Sequence, residues 1–413
     1  MEVWLGGMSC LVSEGGGGMD LLLVGIDVSK ALFSVVGIDS KGNESFSGTY
    51  SMDSSGFEEL IKTITSHCED LSKVIVGMES TGCYHINLYS FLISRQLHTI
   101  VINPLLIANY AKLSLRKTKT DKKDAGTIAK FLLDHRQEIF QLSVTQDLQD
   151  LRDLSRERES LCHLISATKV EIKRLLRTTF PELESIGNLY TRSMVRFLQE
   201  YPSARLVRAA KPKAIANTLK QPSVGNKLTL TAEDIIKAAQ KSVATVSPAK
   251  EIIVRGKIAT LLHLQERLAE VTKLLIDLCQ RTRLEDLGIL RSIKGVGPAT
   301  AAPFLAEMGE VSNYSSHKKI ITYAGIDPSV HESGQFVGMS KLSKRGNRHL
   351  RRAIYLMTAS VVSQNTFFKA YFLKRKREGL APQKALFATA HKLIRVIFAM
   401  LSQRTYFKVK EVQ

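Results

Sequence analysis

Two carboxylates stand at the ends of predicted strands, where phosphodiester chemistry could use them. Asp27 follows the apolar run 21–26, and Glu79 follows the apolar run 74–78. Runs of this length rich in Val and Ile predict strands buried on both faces, so each acid would emerge at a strand end. Magnesium prefers hard oxygen ligands and is usually held by a few carboxylates together with substrate phosphate. The pair therefore predicts a magnesium site acting on a phosphodiester.

A second acidic pair, Asp121 and Asp124, lies among the lysines of segment 117–125. At a helix start, a spacing of three puts both acids on one face, where they can converge on the strand-end pair. Each acid also has a plainer interpretation. A strand-end acid is typical of a turn, and acids in a first helical turn are favoured by the helix dipole or form a solvated charge cluster. Their conjunction within one domain-sized stretch favours the metal site.

The positions of these acids depend on the predicted elements around them. Strands are predicted at 21–26, 31–38, 45–51, 74–78 and 98–102, with helices at 56–67 and 87–95. Early hairpin strands followed by alternating helices and strands match a ribonuclease H-like core. Such folds place acids on the first strand, the fourth strand and a late helix.

Composition and charge indicate the class of partner. The chain has 413 residues, which favours two or three domains, and its formal net charge is +19. Such an excess attracts nucleic acid with a steep salt dependence. An anionic membrane surface is the competing partner, but no isolated basic amphipathic anchor is seen. Five scattered cysteines without a CxxC pair argue against a disulfide framework and structural zinc.

No uninterrupted apolar stretch approaches the roughly 18 to 20 residues of a membrane span, and the N-terminus lacks a signal-peptide pattern. We therefore predict a cytoplasmic protein with no membrane partner. Residues 1–18 end in four glycines and are predicted to be a flexible tail.

Two long helices are predicted in the middle of the chain. Apolar residues recur at helical spacing between about 145 and 180, and those from Leu261 to Leu278 recur at alternating steps of three and four. The second set is a heptad seam, so the helices would pair as a coiled coil within the chain or between subunits. The proline-containing stretch 181–249 between them is predicted to be an inserted module.

The segment 293–300 has the pattern of a helix-hairpin-helix that binds nucleic-acid backbone. Gly295 and Gly297 would let the chain approach a phosphate, beside Lys294 and the amides of the following helix. The alternative is a simple connection between two helices.

Further on, Ser333 precedes Gly334 and is followed by a basic stretch. A loop serine beside cations is a candidate phosphoryl-accepting nucleophile, although most such serines are turn residues and most basic stretches are solvated. The cations predicted to bind nucleic acid are Lys341, Lys344, Arg345, Arg348 and Arg351.

Five ordered motifs carry a resemblance that covers the chain from Met19 onward. They are Gly25 to Lys30, Met78 to Gly82, Lys119 to Ala125, Ile293 to Gly297, and Ala324 through Ser333-Gly334 to Asn347. On these motifs the chain resembles the serine-type DEDD transposases of bacterial insertion sequences, the IS110 group. The resemblance implies an α/β RuvC-like domain at 19–143, a coiled-coil region at 144–283, and a mainly helical transposase domain at 284–413.

The resemblance also implies a mechanism and partners. Asp27, Glu79, Asp121 and Asp124 would bind Mg²⁺, and Ser333 would become covalently joined to DNA. Arg345, Arg348 or Arg351 would hold the developing charge. The partners implied are donor and target DNA, a structured guide RNA from the element, and further copies forming a homodimer and a synaptic tetramer. The protein would act at the bacterial nucleoid.

One departure and two alternatives stay open. Family members often have Ser-Ser-Gly-Gly where this chain has Glu332-Ser333-Gly334-Gln335, so Ser329, Ser340 and Ser343 are alternative nucleophiles. A RuvC-like junction nuclease would use the carboxylates alone, and a non-catalytic scaffold would use neither set.

Overall fold

The computed structural model describes most of the chain as two compact units, Met1–Gln146 and Asp147–Gln413. The described residues are 21–79, 84–102, 104–111, 121–135, 146–219, 230–329, 332–333, 336–337 and 341–408. The predicted flexible tail, the motif residues 80–82 and the alternative nucleophile Ser340 lie outside them. The predicted limits of three separate domains stay a prediction.

The first unit contains a five-stranded mixed sheet. Its strands are β1 (Leu22–Val28), β2 (Leu32–Ile38), β3 (Glu44–Ser51), β4 (Val74–Glu79) and β5 (His98–Ile102). The strand order is β3-β2-β1-β4-β5; the first three strands pair antiparallel, whereas β4 is parallel to β1 and β5 is parallel to β4. The predicted strands are thus found, and the arrangement is consistent with a RuvC-like fold.

Helices cover both faces of this sheet because its central strands alternate between two apolar clusters. The helices are α1 (Ser54–His67), α2 (His85–Ser94), α3 (Pro104–Ala111) and α4 (Asp121–Asp134), with a 3-10 turn at Leu71–Lys73. Val24 and Val76 belong to a cluster that includes Leu60 of α1, whereas Leu23 and Ile75 belong to a cluster that includes Ile128 of α4. One face of β1 and β4 therefore packs against α4.

The second unit contains two long helices, α5 (Gln146–Thr179) and, later in the chain, α11 (Pro248–Thr282). Arg158 Nε donates to Thr272 Oγ1 at 3.1 Å, and Lys257 pairs with Glu171. Because the earlier residue of α5 contacts the later residue of α11, the two helices run antiparallel within one chain. The structure thus supplies the intramolecular pairing that sequence left open, while a regular coiled coil stays a prediction.

Between the long pair, the described residues 181–219 and 230–247 form short helices, which are α6 (Leu183–Ile186), α7 (Arg192–Glu200), α8 (Ala204–Ala209), α9 (Pro212–Leu219) and α10 (Ala232–Gln240). Their buried residues share one core with the long helices, since Phe197 and Ile235 belong to the same cluster as Ile172 and Ile258. These described helices therefore pack on the ends of α5 and α11.

A buried carboxylate fixes this packing. Glu251, on the first turn of α11, accepts hydrogen bonds from Ser203 Oγ at 2.6 Å and from Arg205 Nη2 at 2.6 Å. The hydrogen bond from Arg205 is the main factor that holds the pKa of Glu251 below its ordinary value of 4.5; burial opposes it and Ser203 adds to it. The folded protein therefore favours the ionised form.

This contact predicts acid sensitivity of the second unit. A carboxyl whose pKa is depressed by folding adds stability that is complete above its unfolded pKa and is lost as pH falls through its folded pKa. We expect Glu251→Gln to lower the urea midpoint at pH 7 and to flatten the decline below about pH 4.5. Glu270→Gln, in an exposed pair with Arg267, is the matched control. Parallel profiles for wild type and Glu251→Gln would contradict the assignment.

The remainder of the second unit is a helical cluster with short strands. Its helices are α12 (Leu284–Arg291), α13 (Pro298–Met308), α14 (His317–Ala324), α15 (Arg348–Gln364), α16 (Thr366–Arg377) and α17 (Pro382–Ser402), with a 3-10 turn at Val311–Asn313. Two-residue strands are β6 (Pro328–Ser329), β7 (Glu332–Ser333), β8 (Phe336–Val337) and β9 (Lys341–Leu342). Among the described residues, only α17 is long and apolar enough to pass for a membrane span. Its Leu393, Ile394 and Ile397 are fully buried in the core with Phe304, so packing accounts for its composition.

Candidate functional site

The strand-end carboxylates lie side by side in the register of the sheet. β1 and β4 are parallel, with Ile26 opposite Met78, and the next residues along the two strands are Asp27 and Glu79. Side chains alternate along a strand, so Asp27 is on the same face as Gly25, and Glu79 is on the same face as Gly77. Both acids are half-buried. The sheet therefore brings together the pair that sequence predicted.

The face that carries these acids is the one covered by α4. A Cβ on Gly25 would lie 2.1 Å from the carbonyl oxygen of Ala125 and 2.4 Å from the backbone nitrogen of Ala129. Only a glycine permits this approach of helix backbone to strand. Asp124 directly precedes Ala125, and Asp121 lies one turn earlier; the first is half-buried and the second is exposed. Asp121 and Asp124 thus lie at the start of the helix that packs on the face carrying Asp27 and Glu79.

The acids suit a magnesium ion in chemistry and number. Magnesium is usually bound through one or two carboxylates, with water and phosphate completing its octahedron, and Asp27 with Glu79 can supply that pair. Among the described residues no three His, Cys, Asp or Glu side chains stand close enough to hold a metal together. The structure therefore supports a two-carboxylate platform, and the four-acid magnesium site stays a prediction.

The predicted nucleophile lies in a small hairpin of the second unit. The backbone places Ser333 at the end of β7, opposite Phe336 of β8. The strands before and after this hairpin, β6 and β9, pair with each other, with Ser329 opposite Lys341. Of the alternative serines, Ser343 donates its hydroxyl to Asp327 Oδ1 at 2.6 Å. This hydrogen bond joins the residue that follows β9 to the residue that precedes β6.

The predicted basic residues divide into exposed and engaged groups. Lys344, Arg345 and Arg348 are exposed. Arg351 instead donates from Nη1 to the carbonyl oxygen of Ala324 at 2.8 Å, at the end of α14, and burial lowers its pKa. Arg351 therefore stabilises the end of α14. Arg345 and Arg348 are exposed and are better placed to contact a phosphate.

A buried polar network fixes the basic loop, which is defined here as residues 343–347. Asn347 Nδ2 donates to Glu307 Oε2 at 2.8 Å, and its Oδ1 accepts from the backbone nitrogens of His349 and Leu350 to cap α15. Glu307 is fully buried and also accepts from Arg156 Nε at 2.9 Å and Nη2 at 3.2 Å. The loop is thereby tied to α13 and α5.

A second carboxylate, Glu159 on α5, extends this network. Glu159 Oε2 lies 2.8 Å from His349 Nδ1, and Glu159 Oε1 lies 3.7 Å from Arg352 Nε. Burial acts to raise the pKa of Glu159, but the hydrogen bond and charge of His349 and the charge of Arg352 bring it below its ordinary value. Glu159 of α5 and Glu307 of α13 therefore pair with cations beside the basic loop.

Sequence reasoning did not select Glu307, Arg156 or Glu159, and it included Asn347 in a motif without assigning it a role. The one available signal was Glu307 itself, a lone acid within the apolar run 298–308. A charge in such a run must be paired, because an unpaired buried charge costs several kcal/mol. The partner Arg156 lies 151 positions away along the chain, so no local pattern identifies it.

The predicted helix-hairpin-helix consists of α12 and α13 joined by residues 292–297. Gly295 has φ of +101°, and a Cβ there would lie 2.9 Å from the carbonyl oxygen of Ser360 on α15. The Gly297 amide donates to Thr300 Oγ1 at 3.1 Å, whereas Lys294 is exposed. Gly295 therefore allows the close approach to α15, and Gly297 caps α13. The phosphate-binding role of this segment stays a prediction.

Comparison with known proteins identifies the class. Residues 24–181 match the DEDD transposase model of the IS110 type, and residues 287–373 match the model described as transposase, IS116/IS110/IS902 family. The transposase for insertion sequence element IS1111A of Coxiella burnetii is 25% identical, over 94% of this chain and 92% of that protein.

Two further relatives also extend over nearly the whole chain. An uncharacterized protein of insertion element IS116 from Streptomyces clavuligerus is 25% identical, over 94% of this chain and 96% of that protein. The pilin gene-inverting protein of Moraxella bovis is 22% identical, over 94% and 98%. Together with the sheet and its acids, these matches define a DNA transposase of an insertion sequence. The chain belongs to the IS110 family of transposases.

Proposed function

We propose that this transposase cuts and rejoins DNA through a covalent link between DNA and Ser333. The Ser333 oxygen attacks the scissile phosphorus, its proton leaves, and a DNA hydroxyl departs as the phosphoserine ester forms. In the reverse sense, the hydroxyl of another strand attacks the same phosphorus and releases the serine. Each bond broken is replaced by one formed, so strands are exchanged without ATP. A pilin gene-inverting relative supports an exchange of strands over a hydrolysis.

The carboxylates are the metal-binding part of the proposal. Asp27 and Glu79, with Asp121 and Asp124 on α4, hold Mg²⁺, which when bound neutralises charge on the scissile phosphate. Arg345 and Arg348 stabilise the charge that develops during attack. The observation that carries this proposal is the parallel register of β1 and β4, which brings Asp27 and Glu79 to one face under the helix that bears the other two acids.

The proposal extends to partners and organisation. A structured RNA encoded by the element selects donor and target DNA by base pairing, a division of labour known for RNA-guided nucleases. The protein acts in the bacterial cytoplasm at the nucleoid, as a homodimer that assembles into a synaptic tetramer. The long helices pair as a coiled coil, and the segment around Lys294 grips DNA backbone as a helix-hairpin-helix. The net charge of +19 supports a nucleic-acid partner.

Covalent capture tests the proposal. Purified protein is incubated with Mg²⁺, the element's RNA and labelled donor and target DNA, then denatured and separated by size. We expect label that migrates with protein, lost in Ser333→Ala and in Asp121→Ala and kept in Ser363→Ala, an exposed serine on α15. Cleaved DNA without a protein-linked band would replace this mechanism by a hydrolytic nuclease.

A further inference from the structure

Outside the proposed site, the end of α16 and the adjoining part of α17 carry a dense set of cations. Residues 366–402 contain eight Lys or Arg against one acid, Glu378. The α16–α17 basic face is defined here as Lys374, Arg375, Lys392 and Arg395, because the other three cations all act on the charge of Lys392. Arg375 pairs with Glu378 at 2.8 Å. Among the described residues, the other three cations have no carboxylate within salt-bridge distance.

Aromatic rings hold one of these cations in place. Lys392 Nζ lies 4.0 Å from the ring centroid of Phe367 and 4.4 Å from that of Tyr371, both on α16. Arg375 Cζ lies 5.0 Å from the Tyr371 centroid. An aromatic face attracts a cation, so these rings fix charges of both helices on one surface. The contact joins the two helices into a single face.

The face concentrates like charge. Burial is the main factor that lowers the pKa of Lys392, and repulsion from Lys374, Arg375 and Arg395 lowers it further. Cations in a last helical turn are favoured by the helix dipole, which accounts for the end of α16. It does not account for Lys392 and Arg395, which lie within α17. A polyanion would relieve the repulsion that the fold leaves in place.

We propose that the α16–α17 basic face binds the phosphate backbone of duplex DNA away from the reacting site. Lys and Arg supply sequence-independent phosphate contacts, which orient a duplex without reading its bases. The face lies beyond the residues predicted to bind nucleic acid, and the family match ends at residue 373, just before its first cation. The inference depends on the proposed function only in taking DNA as the polyanion.

The salt dependence of DNA binding tests the face. The variant Lys374→Gln/Arg395→Gln removes two exposed cations of the face, and Lys62→Gln/Lys130→Gln removes two exposed cations elsewhere as a control of equal charge. Binding to a labelled duplex of random sequence is followed by fluorescence anisotropy between 50 and 200 mM salt. We expect the slope of log K against log salt to fall in magnitude by about 1.8, and affinity near 150 mM to fall about 30-fold, for the first variant alone.

Two further measurements distinguish a loss of charge from a loss of folding. The charge-conserving variant Lys374→Arg/Arg395→Lys should keep the wild-type slope, and circular dichroism should show that all variants fold. Equal losses of DNA affinity in both glutamine variants, or no loss in either, would contradict the proposal that this face binds DNA. Weakened binding of RNA or of anionic vesicles with duplex binding unchanged would overturn the choice of DNA. Covalent capture at low salt tests the proposed function separately, because none of these residues belongs to its machinery.

Discussion

Replacement of Gly25 by alanine is expected to lower the free energy of unfolding of the first unit by about 3 kcal/mol and covalent capture of DNA by about 100-fold. The added Cβ would lie 2.1 Å from the carbonyl oxygen of Ala125 and 2.4 Å from the nitrogen of Ala129. These are backbone atoms, so no side-chain rotation relieves the overlap and α4 must move off β1. The first turn of α4 carries Asp121 and Asp124. Both acids would therefore move away from Asp27 and Glu79.

Two other glycines of the same contact provide graded controls. A Cβ on Gly77 would meet Leu132 Cδ2 at 2.8 Å, a side-chain atom that can give way, so Gly77→Ala should cost less than Gly25→Ala. A Cβ on Gly126 would meet only Val36 at 4.0 Å, and Gly126→Ala within α4 should stabilise by about 0.5 to 1 kcal/mol. Urea unfolding of the three variants gives the comparison. Equal costs at Gly25 and Gly77 would show that α4 does not approach β1 by its backbone.

Glu307→Ala is expected to destabilise the second unit by about 3 kcal/mol, because it removes the acceptor of a buried network. The Glu307 side chain is 1% exposed, whereas its partner Arg156 is 43% exposed and regains some hydration when the pair is broken. Asn347 would lose the 2.8 Å bond that ties the basic loop to α13. We therefore expect DNA binding near the loop to weaken beyond what unfolding explains, measured at a temperature where the variant is folded.

A surface ion pair is the control for Glu307. Glu270 pairs with Arg267 on α11 and both side chains are about half exposed, so Glu270→Ala should cost less than about 0.5 kcal/mol. Glu307→Gln keeps the volume and an acceptor oxygen and should fall between the two. Thermal unfolding ranks the three variants. A Glu307→Ala variant as stable as Glu270→Ala would show that the network does not hold the loop.

Local sequence patterns determined the elements and the catalytic candidates. The Val- and Ile-rich runs before Asp27 and Glu79 predicted β1 and β4, because a strand buried on both faces must be apolar along its length. The steps of three and four from Leu261 to Leu278 predicted α11 for the equivalent reason in helices. The lysines and arginines predicted a nucleic-acid partner through net charge alone.

The tertiary structure decided the roles that depend on contacts between distant residues. Gly295 fits the pattern of a phosphate-binding turn, yet its backbone packs on α15. Arg351 belongs to a basic stretch, yet it binds the carbonyl of Ala324. Glu307 and Arg156 are partners across 151 positions. Periodicity and charge report what each segment can bury or attract, whereas the close approach of two backbones and the pairing of buried charges are fixed only when the segments pack together.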